Sequence, residues 1–492
     1  MTQSTRSALS ALVLLAALLV TASLPIIGGC GGGSRSPNVV PPPTPDTLVP
    51  DLEERTFRYF WDLPNVSNGL VPDRSPTPSF SSIAAVGFAL TAYPIGVERG
   101  YVTRDEARER VLTTLRFFHD APQGPEASGT TGYQGFFYHF LDMQTGERFA
   151  QVELSTVDTA LLVAGILFCD SYFDGDDAAE VEIRTLAEEI YARVNWQWAQ
   201  IRYPLISMGW HPEDGFIAAD WQGYNEAMIV YVLALGSPTF PVQPDAWTAW
   251  TSTYDQTWGT LYGQEHLSFA PLFGHQYSHV WIDFRAIRDA YMAAKDIDYF
   301  ENSRRAVYAQ RAYAISNPLG WKGYGDNVWG LTACDGPADV QLTYAGELRQ
   351  FRGYFARGVG ILNGFDDGTL CPSAAAGSLP FAPEIALPAL VEMRRRYGQQ
   401  IYGQYGFLGA FNPSFEYDVP LQSGRVIPGF GWVAADYLGI DQGVILAMLE
   451  NYRSELIWRV MRTNPYIRHG LERAGFTGGW LAAGESAGKS RE

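Results

Sequence analysis

The 492-residue chain carries a formal net charge of −18, from 35 Lys and Arg residues against 53 Asp and Glu residues. This balance argues against nucleic acid and other polyanions as partners, because phosphate binding needs clustered cations. It also argues against a basic membrane-binding face. With 47% hydrophobic and 18% charged residues, the chain can bury a large core. Its 14% aromatic content, alongside 50 glycines, indicates rings that also stack on flat ligands.

The N-terminal segment has the pattern of an export signal. Residues 1–29 carry one cation, Arg6, followed by an apolar run too short to span a membrane comfortably. The run Ile27-Gly28-Gly29-Cys30 resembles the bacterial lipobox, so Cys30 is the predicted lipidation site; the alternative is an ordinary secretory signal with an incidental cysteine. Residues 30–50 then predict a Gly- and Pro-rich tether. We expect an exported lipoprotein, periplasmic or anchored to the outer membrane through its lipid.

Six later segments are apolar on nearly every face, which is typical of helices that are buried all round. They are Ser81–Tyr93, Thr156–Cys169, Asn225–Leu235, Ser278–Ala294, Pro383–Met393 and Ile440–Tyr452. Between them lie amphipathic segments with charged faces, at Thr103–Asp120, Asp177–Gln197, Asp245–Tyr262 and Asp298–Ser316. This alternation predicts an all-α ring of hairpins in residues 51–478, with six inner and about six outer helices and long loops at one mouth. The alternative is a generic all-α bundle, and residues 479–492 are expected to be a disordered tail.

The cysteines and the loops add smaller expectations. Cys169 lies in an apolar run and is predicted to be a small buried hydrophobe. Cys334 and Cys371 could pair in an oxidising compartment, which their spacing alone does not decide. A short strand is possible at Gly135–Leu141. No zinc, haem or phosphate-loop pattern is present in the sequence, so neither a metal nor a cofactor is expected.

Polar groups stand at or near the start of each predicted inner helix. In a ring of antiparallel hairpins the inner helices run the same way, so these groups meet at one mouth: Ser81, Asp158, Glu226, His279, Glu384 and Asp441. Helix dipoles there favour anions, whereas a carboxyl group buried against aromatic rings stays protonated. Glu226 follows Trp221 and Tyr224, so its predicted pKa is raised, as a general acid requires.

Each of these residues also has a purely structural alternative. Ser155 and Asp158 have the spacing of a capping box, so Asp158 could only cap its helix, and Glu153 could be solvated outside it. Glu226 could simply complement a helix dipole. Asp283 could be one half of an ion pair with a nearby arginine, and a histidine such as His279 could be a satisfied core residue.

Carboxylates among aromatic rings in an exported protein suit glycoside hydrolysis. One protonated acid donates to the leaving oxygen, and a second carboxylate activates water or attacks directly. Aromatic faces hold sugar rings, and polar side chains satisfy the hydroxyls. The predicted substrate-binding residues are Trp221, Tyr224, His279, Trp281, Asp283, Trp329 and Glu384.

Four motifs resemble the glucoamylase-like family: VELSTVDTALLVAGIL, GYNEAMIVYVLALGSPTFPV, PLFGHQYSHVWIDFR and YLGIDQGVILAMLENYRS. This family includes the bacterial endo-β-1,2-glucanases of glycoside hydrolase family 144 and a module of cyclic β-1,2-glucan synthases. The resemblance spans residues 51–477 and implies an (α/α)6 toroid and an anomer-inverting endo-hydrolase of β-1,2-glucan. It implies Glu226 as the general acid, with Asp158 and Glu153 as candidates for the general base.

Other functions stay open at this stage. The synthase modules transfer glucan with retention, so the resemblance also allows a transglycosylase, or a hydrolase of another glucan. A non-catalytic glycan-binding lipoprotein would need the stacking aromatic rings but not Glu226. We expect a monomer whose partner is a glucan; the linkage and chain length it prefers do not follow from the sequence.

Overall fold

The computed structural model describes residues 43–482, and helices dominate them. The helices are α1 Pro45–Asp62, α2 Ile83–Glu98, α3 Arg104–Asp120, α4 Thr156–Tyr172, α5 Ala178–Ala192, α6 Met228–Gly236, α7 Asp245–Thr251, α8 Tyr277–Trp281, α9 Ala290–Ala294, α10 Tyr299–Ser316, α11 Pro372–Ala376, α12 Pro383–Ile401, α13 Gly439–Ser454, α14 Leu456–Met461 and α15 Pro465–Arg473. Short strands occupy many of the connections between them.

The strands are two to five residues long. They are β1 Arg74–Ser75, β2 Ser81–Ser82, β3 Gly132–Tyr133, β4 Phe136–Tyr138, β5 Phe140–Leu141, β6 Leu154–Ser155, β7 Gly209–His211, β8 Gly215–Phe216, β9 Trp258–Leu261, β10 Gln264–Leu267, β11 Ile287–Arg288, β12 Ala333–Cys334, β13 Val340–Tyr344, β14 Glu347–Phe351, β15 Phe355–Ala356, β16 Tyr402–Gly403, β17 Gly406–Phe407, β18 Phe411–Asn412, β19 Arg425–Ile427, β20 Gly431–Val433, β21 Tyr437–Leu438 and β22 Thr477–Gly478. The largest sheet is antiparallel, in the order β3-β4-β6-β7-β8. The all-α prediction is therefore too simple, although a strand at residues 135–141 was expected.

Four of the six apolar segments form helices that are buried almost throughout. They are α2, α4, α6 and α13. Helix α2 packs against both α4 and α13, and α4 also packs against α6. Helices α2 and α4 approach closely because Gly87 and Gly165 face each other's helix. A Cβ atom at Gly165 would lie 2.1 Å from the carbonyl oxygen of Gly87, so only glycine fits at this crossing.

The predicted helix Ser278–Ala294 is wrong. The structure has two short helices instead, α8 and α9, separated by strand β11. Between them Asp283 is held by Arg285 and by Arg462, and Ala286 adopts a left-handed φ of 61°. Ion pairing with a residue distant in the chain thus overrides the apolar periodicity.

The fifth predicted inner helix is also misplaced. Helix α12 covers Pro383–Met393, but only one of its faces is buried, and Glu384 and Pro388 are exposed. The buried element in this part of the chain is the short helix α11, whose five residues are all buried and which packs against α13. Pro388 on the solvent side of α12 made its apolar content look like burial.

The amphipathic segments form helices with exposed faces, as predicted. Helices α3 and α5 each leave a charged face in solvent, and the charged side chains of α10 are half-buried. Thr103 and Glu106 form the expected capping box at the start of α3. Helix α7 is shorter than predicted and ends at Thr251, because the chain then turns into the β9–β10 hairpin.

The folded region extends beyond both predicted boundaries. Helix α1 begins at Pro45 with Leu48 and Val49 buried, so residues 45–50 belong to the fold and not to the tether. At the other end Leu481 is buried and the Trp480 indole donates to the Asp283 carbonyl at 2.8 Å. The predicted signal peptide, Cys30 and most of the tether lie outside the described residues, as does the end of the predicted tail. No helix within residues 43–482 is long and apolar enough to cross a membrane.

A second, smaller core lies beside the helices. It is built from rings such as Trp321, Phe351 and Trp432. The Cys334–Cys371 disulfide lies in this core, while Cys169 is a free and buried thiol, as expected. We call residues 319–371, which contain the disulfide and the β13–β14 hairpin, the disulfide lobe.

Candidate active site

The starts of four buried helices place ionisable side chains close to one another. The charges of Asp158, Glu226 and Asp441 all act on the buried Tyr277 hydroxyl. Asp158 belongs to the first turn of α4 and Asp441 to that of α13. Tyr277 begins α8, and Glu226 lies two residues before α6 begins. We call Asp158, Glu226, Tyr277 and Asp441 the helix-start cluster. The convergence of helix starts therefore brings together three of the acids singled out from the sequence.

Glu226 does not lie in the first turn of α6, as the sequence predicted, but in the turn before it. Helix α6 begins at Met228, and the Ser278 hydroxyl donates to the Glu226 carbonyl at 2.9 Å. The Glu226 Oε2 atom is buried and has no hydrogen-bond partner among the described residues. Burial raises the pKa of Glu226 to about 7, and the nearby charge of Asp158 adds to this shift. A carboxyl group in this setting carries a proton near neutral pH.

Asp158 is buried, but its carboxylate does not cap α4. The cap is the Ser155 hydroxyl, which accepts from the Asp158 backbone N–H at 3.2 Å. The same hydroxyl donates to Asp158 Oδ2 at 2.5 Å. Burial raises the pKa of Asp158, partly offset by the cationic His139 ring, whose Nε2 is 3.5 Å from Oδ2. The Asp158 carboxylate is therefore free of a capping role.

Glu153 is half-buried, contrary to the solvated alternative. His139 Nδ1 lies 2.8 Å from Glu153 Oε1, and the His139 backbone N–H donates to the Glu153 carbonyl at 3.0 Å. Burial would raise the pKa of Glu153, but the charge and hydrogen bond of His139 hold it below its usual value. Sequence reasoning missed His139; its only signal was one histidine within the aromatic strand segment GFFYHFL.

Asp441 is the second acid of the cluster with an unpaired buried oxygen. Its Oδ2 atom has no hydrogen-bond partner within residues 43–482. Burial raises the pKa of Asp441 to about 8, with Asp335 and Asp73 contributing in the same direction. The sequence placed Asp441 at a helix start without giving it a role. Tyr354 of the disulfide lobe, also missed, is 42% exposed and lies near Asp441.

The two aromatic rings that precede Glu226 in the chain are almost fully buried. Trp221 is 6% exposed and its indole donates to Thr156 Oγ1 at 2.9 Å. Tyr224 is 4% exposed and stacks on Tyr299 with an interplanar angle of 11°. Neither exposes an open ring face of the kind that stacks on a sugar, and the substrate-binding roles of Trp221 and Tyr224 stay predictions.

Three further predicted binding residues are core residues. His279 Nε2 is 3.1 Å from Ser303 Oγ, and the Trp281 indole donates to Thr91 Oγ1 at 3.0 Å. Both side chains, and that of Trp329, are at most 1% exposed. Burial lowers the pKa of His279 to about 3, which keeps the ring neutral. These side chains stabilise the core and have no surface with which to bind a saccharide.

The two predicted binding acids are engaged in ion pairs. Asp283 is buried between Arg285 and Arg462, the structural alternative raised from the sequence. Glu384 is exposed at the start of α12, where Arg304 binds it at 2.6 Å. Neither carboxylate belongs to the helix-start cluster. Among the described residues, no group of three or more His, Cys, Asp or Glu side chains is arranged to hold a metal ion.

Comparison with known proteins agrees with this architecture. A curated relative from Parabacteroides distasonis, an exo beta-1,2-glucooligosaccharide sophorohydrolase (non-reducing end), is 28% identical over 465 residues. That alignment covers 88% of this chain but 58% of the relative, so the chain spans less than two thirds of its length.

Two solved structures match over nearly their whole length. An endo-beta-1,2-glucanase from Chitinophaga pinensis, in complex with sophorotriose and glucose, is 28% identical with a TM-score of 0.75, covering 89% of this chain and 100% of that one. A structure from Bacteroides uniformis is 30% identical with a TM-score of 0.75, covering 89% and 99%. The model of the Glycoamylase family, described as “Putative glucoamylase”, matches residues 218–465. This chain therefore belongs to the Glycoamylase family.

Proposed function

We propose that this protein is an endo-acting glycoside hydrolase that cleaves β-1,2-glucan with inversion of the anomeric carbon. The observation that carries the proposal is the buried Oε2 atom of Glu226, which has no partner in residues 43–482 and lies beside a second carboxyl group, Asp158. Unpaired buried polar atoms cost free energy, and they persist where a ligand completes them. The names of the Parabacteroides and Chitinophaga relatives support β-1,2-linked glucose as that ligand.

In this mechanism Glu226 donates its proton to the glycosidic oxygen as the bond to the anomeric carbon breaks. A second, ionised carboxylate removes a proton from the attacking water on the opposite face of the sugar. Asp158 and Glu153 are our candidates for that base, and the structure adds Asp441. Glu153 differs from the other two because His139 holds its pKa low, so it is ionised over the widest pH range.

We also infer that the buried helices close into an (α/α)6 ring. Helix α13 packs against α2 at one side and against α8 and α11 at the other, and α2 continues to α4 and α6. The consecutive buried helices α2, α4 and α6 are thus neighbours in space, as are α11 and α13, and the last one packs against the first. This arrangement supports a ring whose helix starts share one mouth.

The substrate proposal is tested by incubating the purified protein with β-1,2-, β-1,3-, β-1,4- and α-1,4-glucans. We expect new reducing ends only with β-1,2-glucan, and a range of oligosaccharide lengths. Release of sophorose alone would instead favour exo action, which the name of the Parabacteroides relative suggests. Proton NMR of fresh digests should show the α-anomer first. Products longer than the substrate would indicate transglycosylation. Binding of glucan without release of any product would contradict enzymatic activity.

The pH profile should report the proton on Glu226. Because the pKa of Glu226 is raised to about 7, we expect kcat/KM to fall about tenfold per unit as pH rises above 7. An aryl glycoside with a good leaving group needs little acid assistance, so its hydrolysis should lack this alkaline limb. Equal alkaline limbs for both substrates would contradict the assignment of Glu226.

Replacing Asp158 with Asn separates catalysis from capping. Ser155 caps α4, so we expect Asp158→Asn to keep the melting temperature within a few degrees while turnover falls by about a hundredfold or more. Ser155→Ala is the matched variant, because it removes the cap and should cost about 1 kcal/mol of stability. A lower melting temperature with intact turnover in Asp158→Asn would show that Asp158 has only a structural role.

We further propose export as a monomeric lipoprotein acylated at Cys30. The support is the sequence Ile27-Gly28-Gly29-Cys30 after an apolar run. Expression in a bacterium fed radiolabelled palmitate should label the wild-type chain and leave Cys30→Ala unlabelled. Label that persists in Cys30→Ala would contradict this site.

A further inference from the structure

His139 is held rigidly between the segments that lead into α2 and α4. Its backbone carbonyl accepts from the Ile83 N–H at 3.3 Å, and its own N–H donates to the Glu153 carbonyl at 3.0 Å. Its ring stacks on Phe140 with centroids 3.9 Å apart, and Phe140 in turn lies 4.2 Å from Phe80. These backbone hydrogen bonds and the ring stacking therefore fix the position of the imidazole.

The two nitrogens of this ring face two different carboxylates. Nδ1 lies 2.8 Å from Glu153 Oε1, and Nε2 lies 3.5 Å from Asp158 Oδ2. Only a doubly protonated imidazole presents an N–H group to both carboxylates, so the hydrogen bond with Glu153 and the charge pair with Asp158 both favour the cation. Glu153, His139 and Asp158 then form one connected unit with a net charge of −1.

We propose that His139 is a positioning residue, a fixed imidazolium that bridges Glu153 and Asp158 and holds both carboxylates ionised and oriented for the reaction on β-1,2-glucan. This inference rests on the function proposed above, because it assigns His139 a role in that same site. In this scheme His139 contacts neither the proton donor Glu226 nor the substrate. It acts through the two carboxylates.

The charges around the ring support this role. Burial would lower the pKa of His139, yet Asp158, Glu153 and the more distant Asp73 raise it to about 9. In return the charge on His139 holds the pKa of Glu153 below its usual value and partly offsets the burial that raises the pKa of Asp158, and His211 acts on Glu153 in the same direction. Asp158 in turn raises the pKa of Glu226. The charge on His139 thus affects the base candidates directly and Glu226 through Asp158.

The first experiment needs no activity. NMR titration of the imidazole resonances in the wild-type protein should show His139 still protonated at pH 7.5, and its pKa should fall by at least one unit in Glu153→Gln. A neutral His139 at pH 7 would overturn the proposal even if the enzyme hydrolyses β-1,2-glucan. This measurement also stays informative if a variant at His139 fails to fold.

The second experiment is the pH profile of kcat/KM for His139→Gln on β-1,2-glucan. Loss of the cation should move the acid limb up by about one pH unit, so activity should fall up to about tenfold more on the acid side of that limb than at pH 8. A merely structural role would lower activity equally at all pH values, and that result would overturn the proposal. Absence of hydrolysis by the wild-type protein would instead contradict the proposed function. The NMR titration would then still test whether His139 is cationic.

His119 provides a matched control. Its two nitrogens also face carboxylates, Asp120 and Glu189, each at 2.7 Å, but it lies near the end of outer helix α3. His119→Gln should leave both limbs of the pH profile unchanged. A shift of the acid limb in His119→Gln as large as that in His139→Gln would show a general charge effect and contradict a specific role for His139.

Discussion

Replacing Glu226 with Gln should slow β-1,2-glucan hydrolysis by about a thousandfold or more while the protein stays folded. General acid catalysis contributes roughly 10²–10⁴ in rate, and the amide cannot supply the proton. The fold should tolerate this change, because Glu226 Oε2 has no hydrogen-bond partner to lose among the described residues. Reducing-end assays give the turnover, and thermal unfolding monitored by circular dichroism gives the stability.

Two controls define this result. Glu109→Gln changes an exposed glutamate on α3 and should leave turnover unaltered. An aryl glycoside with a good leaving group should restore part of the rate in Glu226→Gln, because its departure needs little protonation. Near-wild-type turnover of β-1,2-glucan by Glu226→Gln would remove Glu226 from the mechanism.

The largest effect on stability should come from Arg357→Met in the disulfide lobe. Arg357 and Asp367 are both fully buried, and the guanidinium donates to the carboxylate at 2.8 and 2.9 Å. It also donates to the carbonyls of Cys334 and Gly353. Breaking a buried pair from one side leaves an uncompensated charge, which costs about 3–5 kcal/mol. Urea unfolding should show this loss.

A double variant separates the pair from the packing around it. In Arg357→Met/Asp367→Leu no charge is left unpaired, so we expect it to lose less stability than the single variants combined. Arg395→Met, in an exposed pair with Glu392 on α12, should cost at most about 1 kcal/mol. A loss of under 1 kcal/mol in Arg357→Met would contradict the proposed importance of the buried pair.

Local apolar patterns correctly predicted the helices that are surrounded by protein on every side. Helices α2, α4, α6 and α13 are buried on all sides, so a continuous apolar run is sufficient to identify them. The same reasoning failed for Ser278–Ala294, where the partner of Asp283 is Arg462, far along the chain. It failed again for α12, because an apolar residue can also lie in solvent.

The candidate site was predicted only in part, because local patterns do not show which residues meet in space. Asp158 and Glu226 stood out as acids at the starts of apolar helices, and the structure places them near each other. His139 did not stand out, since nothing nearby in the sequence shows that its ring meets two carboxylates. Trp221 was predicted to bind substrate yet is only 6% exposed, whereas Tyr354, which did not stand out, is 42% exposed. Composition shows that rings are abundant but not which ring faces solvent.

Sequence alone was sufficient for the family resemblance, for most of the buried helices and for Glu226 as the acid of interest. These depend on residue order and on short-range periodicity, which the chain carries locally. Tertiary structure alone decided three further features. They are the burial of Glu226 Oε2 without a partner among the described residues, the position of His139 between Glu153 and Asp158, and the buried Arg357–Asp367 pair. Burial and electrostatic environment are sums over all neighbours in space, and most of those neighbours are remote in the chain.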